Sequence, residues 1–291
     1  MKGIFSYGIV RGLIGQIIGW AAGIGLVTGI RALMGLGYKA EPAWVAGAAL
    51  GVIDFLIAIG AFRDWFAWAK GEETPDPEEI HEEPGVKRYF GYSLDHKVIG
   101  VQYAFLSLFL LVVGGSFALI FRVELVQTGM QWVTLNFFNT LIGMHGMTLI
   151  VSILMGISAM SNYAVPLLIG ARDMAFPRLN AFSFWLAVPA SLVLVSAIFT
   201  GGFDTGWTGY PPLSLRAPMG MQMFFVAVFF AGWSSILGAL NLIVTILRMR
   251  APGMRMFRMP IFAWATLATS IIALTATQLI GTSFQMVSFE R

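Results

Sequence analysis

Seven apolar stretches punctuate the chain, at about residues 7–30, 43–62, 98–121, 138–166, 181–200, 219–247 and 260–286. Each holds roughly 20 residues or more, enough to cross the hydrocarbon core of a bilayer as an α-helix. The pattern predicts an all-α fold, a polytopic membrane helix bundle of about seven transmembrane helices. The longest polar interruption, residues 63–97, is rich in Pro and Glu and reads as a solvated linker. The expected organisation is a two-helix leader over residues 1–70, an acidic linker over 71–92 and a five-helix body over 93–291.

Composition removes the soluble alternatives. Of the 291 residues 57% are hydrophobic and only 11% charged. That excludes a water-soluble enzyme, a nucleic-acid-binding protein and a disordered tail. Seven of the 15 acidic residues crowd into residues 71–84, GEETPDPEEIHEEP. Assigning Lys and Arg to alternating sides puts about 13 with the N-terminus and about five opposite. By the positive-inside rule the N-terminus is inside and the C-terminus outside, in a cell inner (cytoplasmic) membrane. The absence of cysteine excludes disulfides, thiolate metal sites and c-type haem attachment in this chain. The N-terminal apolar run is long enough to span and lacks a small-residue cleavage site, so it reads as a retained anchor.

Against this apolar background a few residues need a reason. Gly15, Gly19 and Gly23 fall four apart and form a small-residue stripe suited to close helix contact. Asp54 stands near the middle of the second span, where an ionisable group is costly and is a functional candidate. Of three histidines, His81 and His96 lie in the linker, and only His145 is intramembrane, about seven residues or roughly 10 Å inside its helix. Gly143 and Gly146 beside it leave room for something flat. A buried imidazole must either ligate a metal, such as haem iron, or hydrogen-bond to a carbonyl of a facing helix. Asp173 lies in an inner loop with Asn162 and Asn180 near it in sequence, while Asn241 and Ser235 project from the sixth span. This is a ladder of hydrogen-bonding groups on which waters could relay protons, or else a set of helix-packing contacts.

From about residue 92 to 291 the chain resembles the first five helices of subunit I of the haem-copper terminal oxidases. The motifs occur in the family's order: SLDHKVIGVQY (93–103), FRVEL (121–125), MHG (144–146), NYAVPLLIGARDMAFPRLN (162–180), GWTGYPPLS (206–214), SSILGALNLIVTILRMRAPGM (234–254) and FRMPIFAWATL (257–267). The resemblance implies that His145 is one axial ligand of the low-spin haem, expected as haem A. Arg122 would lie beside that haem's ring substituents, with an interfacial anchor as the alternative. Trp207 would hydrogen-bond a propionate, or serve in the aromatic belt. Asp173, Asn162, Asn180, Tyr103, Ser183, Ser235 and Asn241 match the lower part of the family's proton-uptake channel.

The resemblance also implies what is missing. The family uses six histidines for two haems and copper, and this chain supplies one of them. The expected function is therefore the N-terminal half of the catalytic subunit of a proton-pumping cytochrome c oxidase. A second chain of a split subunit, or else the missing part of a truncated one, would carry the remaining helices, the oxygen-binding haem and copper. A copper-bearing subunit II, a subunit III-like protein, and cytochrome c or another small redox protein as donor complete the expected partners, with membrane lipid around them. Where quinol-using relatives carry hydrogen-bonding groups, this chain has Val113, Phe117, Phe137 and Thr140, which points to a soluble donor. A quinol oxidase half-subunit and a non-redox transporter or scaffold are the alternatives.

Overall fold

The computed structural model describes residues 6–76 and 85–291; Lys2, His81 and the centre of the acidic stretch lie outside the described residues. Among these, seven helices are long and apolar enough to span a membrane: α1 (Gly8–Leu33), α2 (Ala40–Ile59), α4 (His96–Glu124), α5 (Leu135–Ile169), α6 (Pro177–Ser196, continued by a 3-10 turn Ala197–Thr200), α8 (Gly220–Arg248) and α9 (Ile261–Glu290). Short α3 (Arg63–Ala69) and α7 (Leu213–Arg216) lie between spans. In lipid a backbone N–H or C=O must be satisfied within the chain, and the helix does this segment by segment. The termini are set by local chemistry. The carboxylate of Asp95 accepts from Lys97 N to start α4, and Thr134 Oγ1 accepts from Phe137 N to start α5. Left-handed Gly60 and Gly170 end α2 and α5.

Successive spans run antiparallel, as their cross-contacts record. Ser107 Oγ donates to Ser152 O and Ser152 Oγ to Ser107 O, both at 2.7 Å, tying α4 to α5. Ser234 Oγ donates to Ser183 O at 2.6 Å, tying α8 to α6. Helix α6 is the hub: 67% of its most apolar segment is buried, against 17% for α1 and α4. The outward faces of α1 and α4 carry exposed Ile17, Ile18, Phe105 and Val112, the surface a lipid-facing helix presents.

The glycine stripe brings α1 against α2, as the sequence pattern predicts. A Cβ at Gly19 would stand 2.6 Å from Leu50 O and 2.7 Å from Asp54 Oδ2, and one at Gly23 2.6 Å from Ala46 O. The Asp54 carboxylate thus lies over Gly19. Among the described residues it has no ion-pair partner. The pair is docked on α6: Phe55 packs on Trp185, Phe62 and Trp65 pack on Phe182, and Gln16 Nε2 donates to Pro189 O at 3.3 Å. At one end Arg178 Nε donates to Asp64 Oδ2 at 2.5 Å, and Tyr92 donates its hydroxyl to Arg178 O. Burial, then the Asp64 carboxylate, pushes the Tyr92 phenol far above its ordinary value, so it remains a donor at any physiological pH.

His96 departs from expectation. It is not a solvated linker residue but the first residue of α4, only 2% exposed, with Nδ1 donating to Asn162 O at 2.9 Å. Asp95 caps the helix before it, which draws the imidazole under the bundle.

Gly19→Val should loosen the α1–α2 pair by about 1–3 kcal/mol, since Leu50 O is backbone and cannot yield. Gly25→Val, at a position where a Cβ would meet nothing within 4 Å, should leave thermal unfolding in detergent unchanged. The two unfolding midpoints check this.

Candidate functional site

Helix α5 begins at Leu135, three residues before the predicted start, so His145 stands ten residues or about 15 Å along it. Its height is set by the preceding loop. Both carboxylate oxygens of Glu124, at the end of α4, collect backbone N–H groups: Gln131 at 2.6 Å, Trp132 at 2.7 Å and Val133 at 3.2 Å. Charge-assisted bonds of this kind fix the turn that feeds α5.

The His145 imidazole points to α4, where Nδ1 lies 2.8 Å from Gly114 O. A carbonyl can only accept, so a neutral imidazole carries its proton on Nδ1 and its lone pair on Nε2. Close approach makes this bond: a Cβ at Gly114 would stand 3.0 Å from Leu149 Cδ2. Phe121 sets its ring edge against the imidazole at 5.5 Å. Among the described residues nothing hydrogen-bonds Nε2. Gly115 and Gly146 are open, with no atom within 4 Å of an added Cβ. Gly143 is different; its Cβ would meet the Phe203 ring at 3.2 Å, so it serves helix packing. An oriented imidazole with a free lone pair beside open glycine surface fits a haem ligand. Arg122 follows Phe121 and is exposed at the end of α4. Trp207 is 54% exposed, and it lines a cleft between α5, α8 and α9.

The polar ladder is assembled in part as expected. Asp173 sits in the α5–α6 loop, its Oδ1 accepting from Met174 N at 2.6 Å. Asn241, fully buried, clamps that loop: Oδ1 accepts from Phe176 N at 2.9 Å and Nδ2 donates to Phe176 O at 3.0 Å. Thr245 Oγ1 supports it by accepting from Ala175 N. Tyr103 donates to Ser183 Oγ at 3.1 Å, and Ser183 donates onward to Asn180 O at 2.8 Å. Asn180 is 1% exposed and neither atom of its amide has a partner among the described residues; Asn162 Nδ2 reaches Ser158 O while its Oδ1 has none there. Buried amides left open in this way are the sites that ordered water fills.

Ser235 donates to Gly232 O on its own helix. With Tyr103, Asn162 and Ser234 it lines the α5–α8–α9 cleft, a volume of about 550 Å³. Ser234, not Ser235, is the serine bonded to α6. The sequence names both in one dipeptide, and only the facing of α8 selects between them. The roles of His96 and Thr245 have no local signature, because their partners are backbone atoms distant in sequence; that of Glu124 depends on a loop that folds back on the end of α4.

Residues 98–291 match the sequence model of the family described as Cytochrome C and Quinol oxidase polypeptide I. The chain is 42% identical over 205 residues to cytochrome c oxidase subunit 1 of Thermostichus vulcanus, covering 69% of this chain and 37% of that protein. It is 42% identical over 204 residues to the Synechocystis sp. protein of the same name, with the same coverage. It is 38% identical over 228 residues to that of Corynebacterium efficiens, covering 75% of this chain and 39% of the relative. The chain thus spans somewhat more than a third of the length of the curated relatives it matches. The His145 and Asp173 sites both fall within the matched region, and the chain belongs to the cytochrome c and quinol oxidase polypeptide I family.

Proposed function

We propose that this chain supplies one wall of the low-spin haem site and the entry of the proton-uptake path in a proton-pumping cytochrome c oxidase. The observation that carries the reading is the Nδ1–H of His145 held by Gly114 O, which leaves Nε2 free to ligate. His145 would hold the haem, expected as haem A, whose iron supplies one-electron transfer toward the oxygen-reducing centre. The Gly114 bond orients the ring and raises the basicity of Nε2. Arg122, near the same end of α4, would add positive charge beside the haem substituents, and Trp207 a propionate contact. The opposing ligand, the second haem and copper would come from the helices of the family that lie beyond the matched third of its length. A copper-bearing subunit, a subunit III-like protein, and cytochrome c or another small redox protein as donor complete the assembly. The charge asymmetry supports an orientation with the Asp173 face inside, and the expected location is the cell inner (cytoplasmic) membrane.

On that face Asp173 collects protons. Asn162 and Asn180 hold waters with their unpartnered amide atoms, and Tyr103 and Ser183 carry the hydrogen-bonded line to the bundle interior. Asn241 holds the loop that positions Asp173. Thr140 supports a soluble donor over quinol: it is 4% exposed and pressed against Gly202, away from lipid.

Purification of the complex from membranes by a tag on this chain, followed by a reduced-minus-oxidised spectrum and haem extraction, tests the assignment. Two A-type haems per copy are expected, and absence of haem from folded material overturns it. His145→Ala should remove the low-spin haem signal from the assembled complex. Asp173→Asn should slow turnover or pumping by about tenfold or more with the haem spectrum intact, as loss of a positioned proton donor does. Full pumping in that variant sinks the proton-path assignment.

A further inference from the structure

A second cavity lies on the Asp173 face, apart from the haem and proton sites. It has a volume of about 720 Å³ and sits where α1 begins and α2 ends, closed by residues 87–94. Gly8 makes the closure tight, since a Cβ there would stand 2.9 Å from Gly91 Cα. Left-handed Gly60 turns the chain out of α2 so that Arg63 returns to the cavity rim. Four cations line it: Arg11 from the first turn of α1, Arg63 from the start of α3, and Lys87 and Arg88 from the closing segment. The one carboxylate among its described lining residues, Asp64, is already held by Arg178 at 2.5 Å. The guanidinium groups of Arg11 and Arg63 make no hydrogen bond or ion pair with any described residue. Ile57, Ile59 and Leu94 add apolar side chains to its lining.

Two exposed guanidinium groups without a counter-ion among the described residues, beside apolar side chains and level with the ends of two membrane spans, offer an anion site at headgroup depth. Guanidinium matches phosphate oxygens in a bidentate fork. A free phosphate would leave the apolar side chains uncovered, whereas acyl chains would continue along the outward face of α1, where Ile14, Ile17 and Ile18 are exposed. We propose that this cavity binds the phosphate of an anionic phospholipid headgroup, with Arg11 and Arg63 as its donors. Basic pockets at the ends of membrane helices take this ligand class by charge and depth together. The site lies outside the family-matched residues and is independent of the haem assignment.

The test uses the full chain, with whatever co-purifies, reconstituted in phosphatidylcholine nanodiscs containing a minor fraction of phosphatidylglycerol. Lipid retained after re-extraction in detergent is quantified by mass spectrometry. Phosphatidylglycerol should be retained in preference to phosphatidylcholine, a result that needs no variant, and inorganic phosphate should not displace it. Arg11→Gln and Arg63→Gln should each lower its retention about fivefold, the effect of one cation at a membrane surface. Arg255→Gln and Arg258→Gln, outside the cavity, should not. Equal retention of the two lipids, equal losses in the control variants, or displacement by inorganic phosphate overturns the proposal, the last by assigning the cavity to free phosphate.

Discussion

In hydrocarbon a polar group has no water to turn to, so its partner must come from the protein or from something the protein binds. The backbone meets this demand by helix formation, and the side chains meet it one by one. Asn241 spends its amide on both backbone groups of Phe176, and the two serines of α4 and α5 trade hydroxyl bonds with each other's carbonyls. At a few residues the pairing stops short. His145 satisfies Nδ1 and leaves Nε2 open. Asn180 is sealed from solvent with its amide unanswered. One is suited to ligation, the other to water.

The N-terminal pair serves the same economy from outside the family-matched region. Its glycines let two backbones approach closely, which places Phe55 on Trp185 and Trp65 on Phe182 at the most buried helix of the bundle. Arg178, at the start of α6 and five residues beyond Asp173, is then fixed from three directions, by Asp64, by Thr74 and by the Trp68 ring. The mouth of the polar path is therefore braced by residues from α3 and the linker, and the loop carrying Asp173 is held between α6 and α8.

Much of this was legible in the chain. The seven spans fall within a few residues of the apolar stretches, because hydropathy sets span length directly. The glycine stripe at 15, 19 and 23 revealed a helix contact, because a repeat of four puts small residues on one face. His145 stood out because an imidazole in such a segment demands a reason. Other features were not legible. His96 read as linker because the polar stretch runs on to Lys97, yet the Asp95 cap starts the helix there and buries the ring. Gly143 and Gly146 look alike in sequence, but one meets Phe203 and the other meets nothing.

The sequence by itself determined the helical class, the number of spans and the family, since these follow from local hydropathy and from motifs in a fixed order. It also named His145 and Asp173 as the residues to watch. Only the tertiary structure decided the imidazole's orientation, the choice of Ser234 over Ser235, the clamp of Asn241 on the Asp173 loop and the gathering of arginines where α1 begins and α2 ends. Each of these depends on which face of one helix meets another. That is fixed by the packing of side chains far apart in the chain and has no local signature.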